Sequence, residues 1–314
     1  MTTNQWRGKR IGILMGGISK ERDVSLRTGK AMASAFERLG YTVVPVDVRD
    51  DLVTRLRATP IDVAVIALHG TYGEDGCIQG LLEWLRIPYT GASVMGSAVA
   101  MDKVVCKHVA HDIGIPVADG HLFHAAVESV EECARRMTLA LPVIVKPVRE
   151  GSTIGVTIVQ TPEALPDALR LAATSDEKVL IETFVTGQEV TVGWLGGTVL
   201  TPLEIAPKDG FYNFAAKYTK GMTEYILPAR IPAATAAQLG AWTTRLCAVL
   251  DCRGMARADY MVRPDGRAVF LELNTIPGMT ELSLVPQAAA YAGIAFDEVC
   301  DRVLQDVLPR ERSR

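Results

Sequence analysis

The chain has 314 residues, 33 of them Lys or Arg and 36 Asp or Glu, for a net charge of −3. That balance carries no electrostatic footprint for nucleic acid or anionic lipid. With 48% hydrophobic and 22% charged residues, it falls among ordinary globular proteins, long enough for two or three domains. The apolar run at 11–15 is far too short for a signal peptide, and nothing approaches the ~20 apolar residues of a membrane span. No membrane or nucleic-acid partner is therefore expected, and the expected location is the cytoplasm. Six cysteines, at 77, 106, 133, 247, 252 and 300, form no Cys-x-x-Cys pair. Reduced, mostly buried thiols are expected rather than structural zinc or a disulfide framework.

In chain order, residues 11–15 read as a buried strand, 24–39 as an amphipathic helix, 41–47 and 62–68 as strands, and 77–85 as a helix. Strands alternating with helices predict an α/β unit with a parallel, Rossmann-like sheet. The loops at 16–19 (Gly-Gly-Ile-Ser) and 69–76 (His-Gly-Thr-Tyr-Gly-Glu-Asp-Gly) then lie at the carboxyl ends of strands, where such sheets bind ligands. A turn at 88–93 marks a boundary, and one long helix is predicted over 93–112. Strands at 143–146 and 156–159, a helix at 162–173 and a strand at 179–185 follow, ending at the Thr186-Gly187 turn. The remainder holds strands at 189–195 and 199–205, an irregular stretch through Lys220, a helix near 235–250, a hairpin over 255–274 and a C-terminal helical pair. The expected domains are 1–92, 93–186 and 187–314.

The hairpin is the most informative piece. Its arms, 256–262 and 268–274, flank Arg263-Pro264-Asp265-Gly266-Arg267, a strong turn signal. Alternation puts Glu272 and Asn274 on one face, with Leu271 and Leu273 on the other. A two-residue turn at Asp265-Gly266 places Asp259 opposite Glu272 and Arg257 opposite Asn274. A four-residue loop keeps that parity, whereas a three-residue loop spoils it unless a bulge compensates. Two carboxylates and an amide oxygen converging on one face suit Mg²⁺ held together with phosphates. A solvated polar strand face is the competing reading.

Three further segments carry chemistry. Lys146 ends a buried strand and is followed by a Gly/Ser/Thr-rich loop through Gly155, which can offer N–H groups, hydroxyls and a fixed cation to phosphates, or be only a hairpin turn. No P-loop and no Gly-x-Gly-x-x-Gly occurs anywhere. The strand edge Glu182-Thr183-Phe184-Val185, with Glu189 beyond, can present backbone groups to an adenine and a carboxylate to a ribose, or be a solvated strand and turn. The stretch 212–218, with Lys217 and Tyr218, sits in an irregular region that reads as an active-site lid or as a plain surface loop. His69, at a strand end beside glycine, is the one histidine of interest.

Together these motifs resemble the D-alanine–D-alanine ligases of the ATP-grasp superfamily over nearly the whole chain. The carrying residues are Gly16-Gly17-Ile18-Ser19-Lys20-Glu21, Leu68-His69-Gly70, Gly73-Glu74-Asp75-Gly76, Tyr89-Thr90-Gly91, Met101-Asp102-Lys103, the Lys146–Gly155 segment, Ala216-Lys217-Tyr218, Arg257-Ala258-Asp259 and Glu272 through Thr280 with Ser283-Leu284. Each motif is modest; their order and spacing are highly specific. The resemblance implies an ATP-grasp fold behind an N-terminal Rossmann-like domain. It implies ATP-dependent joining of two D-alanine molecules through an acyl phosphate, for peptidoglycan precursor synthesis, by a homodimer. By the same resemblance Lys103 and Lys146 hold phosphates, with Lys217 also on the nucleotide side, and Glu182 through Val185 and Glu189 contact adenine and ribose. Asp259, Glu272 and Asn274 bind two Mg²⁺, for which Mn²⁺ can stand in. Glu21, bonded with Ser152 and Tyr218, holds the first D-alanine's ammonium near His69. Arg257 and the Gly278 N–H stabilise the oxyanion, and Ser283 and Leu284 receive the second D-alanine's carboxylate.

The chain departs from the family pattern at Thr183, where many relatives have lysine, at Ile276 and Ala256, where small residues or glycine are common, and at Glu281-Leu282. None removes a catalytic group. A D-alanine–D-lactate or D-alanine–D-serine ligase is the neighbouring alternative, against which Lys217-Tyr218 argues. A catalytically silent nucleotide-binding protein is the alternative from another class, and it would have no reason to retain this set of charges.

Overall fold

The computed structural model describes residues 4–208, 222–281 and 283–308. The first unit holds β1 (Arg10–Gly16), α1 (Arg22–Arg38), β2 (Thr42–Val48), α2 (Leu52–Ala58), β3 (Val63–Ile66) and α3 (Cys77–Trp84). β1 lies between β2 and β3 and all three run parallel. The apolar run of β1 is buried on both faces, as covered parallel strands require. Its two following loops do gather at one end: the Ser19 hydroxyl donates to the His69 carbonyl at 2.7 Å. Tyr89 bridges Ala64 in parallel, so the predicted boundary turn begins as a short extension of the sheet.

The helix predicted over 93–112 is instead two, α4 (Val94–Met101) and α5 (Lys103–Asp112). Asp102 is extended, with ψ 100°, and its carboxylate accepts from the Val104 and Val105 N–H groups at 3.1 Å. It therefore starts a new helix as its N-cap. The apolar pattern runs through the break unchanged, so only the capping residue marks it.

The second unit comprises β4 (Gly120–His124), α6 (Val130–Arg136), β5 (Val143–Pro147), β6 (Thr157–Val159), α7 (Leu165–Ala173) and β7 (Lys178–Thr183). Its antiparallel sheet runs β4-β7-β5-β6. Leu165, Ala168, Leu169 and Ala172 of α7 close its core over Val143, Val145 and Ile181. This leaves the sheet's other side open toward the third unit.

That unit comprises β8 (Gln188–Leu195), β9 (Thr198–Val199), β10 (Leu203–Pro207), β11 (Thr223–Ile226), α8 (Ala233–Val249), β12 (Met255–Val262), β13 (Ala268–Asn274), α9 (Leu284–Tyr291) and α10 (Phe296–Gln305). Its sheet runs β11-β10-β8-β12-β13, with β9 beside β8. The strand predicted over 199–205 is thus split in two, with Pro202 between the pieces. Val285, Ala288, Val299 and Val303 of the terminal helices share one core with Ile11, Ile13, Met32 and Phe36. The end of the chain is therefore tied to its beginning, and the first sheet is fixed against the third. Five of the six cysteines are buried, Cys77 is exposed, and all six are free.

The hairpin resolves the parity question in an unexpected way. The Arg263 N–H donates to the Arg267 carbonyl at 2.8 Å, and Tyr260 pairs with Phe270 and Val262 with Ala268. The loop is therefore the three-residue one. A register shift between Asp259 and Tyr260 makes Leu271 an extra residue, beyond which Asp259 pairs with Glu272 and Arg257 with Asn274. The bulge restores the pairing that a two-residue turn would have produced. Leu271 does not turn away as alternation predicts; it lines the same cavity as Asp259 and Glu272, because a bulge puts two consecutive residues opposite one partner.

Candidate active site

Two cavities occupy the space between the three sheets. One, of about 1060 Å³, is lined by Glu21, His69, Arg257, Asn274, Gly278 and Ser283 among others. The second, of about 520 Å³, is lined by Lys146, Glu182 through Val185, Glu189 and Asp259. Both are bordered by Lys103, Glu150, Ser152, Arg257, Glu272 and Leu284. They are therefore adjacent chambers with a common charged wall.

The wall is organised by pairing. Arg257 grips Asp259 with Nε at 3.0 Å from Oδ1 and Nη2 at 2.8 Å from Oδ2. Thr191 donates to the same carboxylate at 2.6 Å, so Asp259, only 5% exposed, meets the rule that buried charges are paired. Lys103 Nζ lies 3.2 Å from Glu272 Oε2 and donates to the Glu150 carbonyl at 2.7 Å. One lysine thus joins the acidic strand to the glycine-rich loop. No group of three His, Cys, Asp or Glu side chains could hold a metal among the described residues. The two carboxylates and Asn274 nevertheless fit Mg²⁺, a hard cation that characteristically takes one or two carboxylates and completes its shell with phosphate oxygens and water. Both carboxylates are paired with protein cations here, Asp259 with Arg257 and Glu272 with Lys103.

Deeper in the smaller chamber, Glu182 is held between two lysines. Lys146 Nζ is 2.5 Å from Oε2 and Lys107 Nζ 2.8 Å from Oε1. Burial pushes the Glu182 carboxyl up, but the two ammonium groups outweigh it and hold it below the usual range. Burial likewise pushes Lys107 down, against the pull of Glu182. The Glu182 carboxylate is thus engaged by two lysines on the side of the sheet that carries Ile144 and Lys146, and residues 182–185 border the chamber.

On the other side, Glu21 stands at the N-terminal end of α1 and accepts from Ser152 Oγ at 2.8 Å. Ser152 and Thr153 have φ of 53° and 61°, the left-handed region that costs a non-glycine residue energy and recurs at ligand-binding loops. At Gly70 (φ 71°), in the left-handed region that favours glycine, a Cβ would stand 3.0 Å from Glu21 Oε2 and crowd the carboxylate. The next residue, Arg22, holds Asp47 through two bonds of 2.8 and 2.9 Å and keeps its carboxyl down at about 2. This pair fixes the start of the helix that presents Glu21. His69, 7% exposed, has Nε2 3.1 Å from Thr28 Oγ1 and Nδ1 3.9 Å from Glu74. Ser283 Oγ accepts from the Thr280 N–H at 3.0 Å, which folds the Gly278 turn back onto the start of α9. Lys217 and Tyr218, both expected at the site, lie outside the described residues, as does Leu282.

This arrangement can be set beside known proteins. The family model described as D-ala D-ala ligase C-terminus matches residues 109–305, and that for the N-terminus matches 52–92. A D-alanine–D-alanine ligase from an Anaeromyxobacter species is 47% identical over 96% of this chain and 97% of its own length. The chain belongs to the D-alanine–D-alanine ligase family. A relative from Syntrophotalea carbinolica is 46% identical over 97% of this chain and 98% of its own. Among solved structures, the D-alanine–D-alanine ligase of Bacillus anthracis complexed with ATP superposes with a TM-score of 0.83 at 32% identity, covering 95% of this chain and 97% of that one. The VanG D-Ala:D-Ser ligase of Enterococcus faecalis gives 0.80 at 27%, covering 94% and 98%. The ATP-grasp fold expected from the motifs is therefore the fold of this family member.

Sequence reading of this ligase-family chain missed Lys107, Thr191 and Glu150, which the fold brings against Glu182, Asp259 and Lys103 respectively. Lys107 had a legible signal, since it follows Lys103 by four residues and shares its helix face. Thr191 and Glu150 had none beyond lying on a strand and in a glycine-rich loop.

Proposed function

We propose that this protein joins two D-alanine molecules at the expense of ATP, through a D-alanyl phosphate, and so supplies a peptidoglycan precursor. The observation that carries this is the common wall. A carboxylate placed by Glu21 in the larger chamber and a triphosphate on Lys103 and Lys146 in the smaller one would meet beside Arg257 and Glu272. The units 1–92, 93–186 and 187–314 then act as a substrate platform and two jaws around ATP, in a protein that works as a homodimer.

In the first step a carboxylate oxygen of D-alanine attacks the γ-phosphorus and ADP leaves. Two anions must approach, so positioning and charge neutralisation provide most of the rate. Lys103 and Lys146 hold the phosphates, and Arg257 faces the charge that develops between them. Bound at Asp259, Glu272 and Asn274, Mg²⁺, or Mn²⁺ in its place, would supply Lewis-acid neutralisation of the phosphate oxygens. In the second step the amine of another D-alanine attacks the acyl carbon. Arg257 and the Gly278 N–H then face the tetrahedral oxyanion, while Ser283 and Leu284 receive the second carboxylate. Phosphate departs with one carboxyl oxygen of the first D-alanine. Glu21, with Ser152, holds the first ammonium, and its place at the end of a helix beside Gly70 keeps it rigid; His69 backs the same pocket.

Purified protein with ATP, Mg²⁺ and D-alanine alone is expected to release phosphate and form the dipeptide in equal amounts, measured by a coupled phosphate assay and mass spectrometry. Release that depends on added D-lactate or D-serine would move the second-substrate assignment. No turnover with any D-amino or D-hydroxy acid would leave a nucleotide-binding protein without ligase activity.

A further inference from the structure

Lys107 is, with Lys146, one of the two buried lysines among the described residues, 5% exposed, and none of the chemistry above uses it. Three contacts define it. Its Nζ is 2.8 Å from Glu182 Oε1, donates to the Phe270 carbonyl at 2.9 Å, and lies 6.0 Å from the centre of the Phe270 ring. Glu182 is in β7 and Phe270 is in β13, so Lys107 ties the second sheet to the third from a helix that belongs to neither. Phe270 is also the residue just before the bulge at Leu271, and Glu272 just after it is reached by Lys103 from the same helix. Two lysines one helical turn apart therefore bracket the bulge that aims the acidic strand.

A charge count shows what this does for Lys146. Glu182 alone with Lys146 is a neutral pair, and a cation already matched by a buried carboxylate has little attraction left for a phosphate. With Lys107 on its other oxygen the cluster carries a net charge of +1, and Lys146, with Glu182, borders the chamber while Lys107 does not line it.

We propose that Lys107 is a positioning residue: it neutralises Glu182 from behind so that Lys146 keeps its charge for nucleotide phosphate, and it holds the Phe270 carbonyl so that the bulge keeps Glu272 on the chamber wall. This rests on the ATP-dependent ligase function proposed above and adds a residue that never touches the ligand.

The test is binding of Mg²⁺·ADP by isothermal titration calorimetry, well below the melting temperature, alongside steady-state kinetics. Lys107→Met is expected to weaken ADP binding about tenfold and to raise KM for ATP while leaving KM for D-alanine unchanged. Lys107→Met combined with Glu182→Gln removes the carboxylate as well and leaves Lys146 unmatched. It is expected to recover ADP affinity to within about threefold of the unaltered protein. Should Lys107→Met fail to fold, Lys107→Gln keeps a donor for Phe270 and is expected to show the same loss. An ADP affinity unchanged in the single variant overturns the proposal. So does a double variant that binds no better than the single one, since that is the behaviour of a merely structural lysine. If the unaltered protein itself neither binds Mg²⁺·ADP nor releases phosphate with D-alanine, the ligase function fails instead.

Discussion

Glu272→Gln is expected to lower turnover by about 10³-fold while the melting temperature moves by no more than about 2 °C. The two halves of this expectation have separate causes. Glu272 sits at the edge of both chambers with its side chain 32% exposed, and the amide has nearly the same shape, so packing is untouched. Its partner Lys103 keeps the Glu150 carbonyl. What is lost is one of two carboxylates facing each other across β12 and β13. A neutral amide binds Mg²⁺ far more weakly and cannot offset the charge of the reacting phosphates. Kinetics at rising Mg²⁺ should show partial recovery together with a raised metal requirement. Unchanged turnover at low Mg²⁺ would remove the metal role from this strand.

Arg257→Met should do two things at once. Turnover is expected to fall by about 10²–10³-fold, the usual cost of removing a donor aimed at a developing oxyanion. Stability is also expected to fall, by about 3 kcal/mol, because Asp259 would keep its charge in a buried place with Thr191 as its remaining partner among the described residues. Urea unfolding separates the two effects. Arg257→Met with Asp259→Asn should regain most of the stability and none of the activity. A single variant as stable as the unaltered protein would mean that the Arg257–Asp259 grip is not a structural element of the wall.

These expectations turn on features that differ in how visibly the sequence encodes them. The strands of the first sheet announce themselves because a covered parallel sheet needs apolar runs, and β1 has one. The two loops at its carboxyl edge follow from that alone. The motifs of the site were legible through their order and spacing, because each carries charge or glycine where neither suits a core. Elements without a period long enough to recognise were missed. Residues Leu52–Ala58 and Val130–Arg136 make helices of two turns, and Gly120–His124 sets two apolar residues between two histidines, a pattern that suits several structures. The break at Asp102 is hidden because the apolar pattern is continuous across it, while the cap that causes it is one side chain. The bulge at Leu271 is hidden for a related reason, since a leucine fits the alternation whether it faces the core or the chamber. The spacing of Lys107 from Lys103 was legible, but its role was not, because its partners Glu182 and Phe270 lie on strands far off in the sequence. Only the packing of α5 against β7 and β13 gives that lysine its neighbours.

The measurement that bears most directly on the chemistry at the common wall is the fate of the carboxyl oxygen. D-alanine labelled with ¹⁸O in its carboxylate, turned over with unlabelled ATP, should yield inorganic phosphate carrying one ¹⁸O for each dipeptide formed. That follows only if the first carboxylate attacks the γ-phosphorus and later surrenders that oxygen when the amine attacks. Phosphate free of ¹⁸O alongside labelled dipeptide would mean that no acyl phosphate forms between the two chambers.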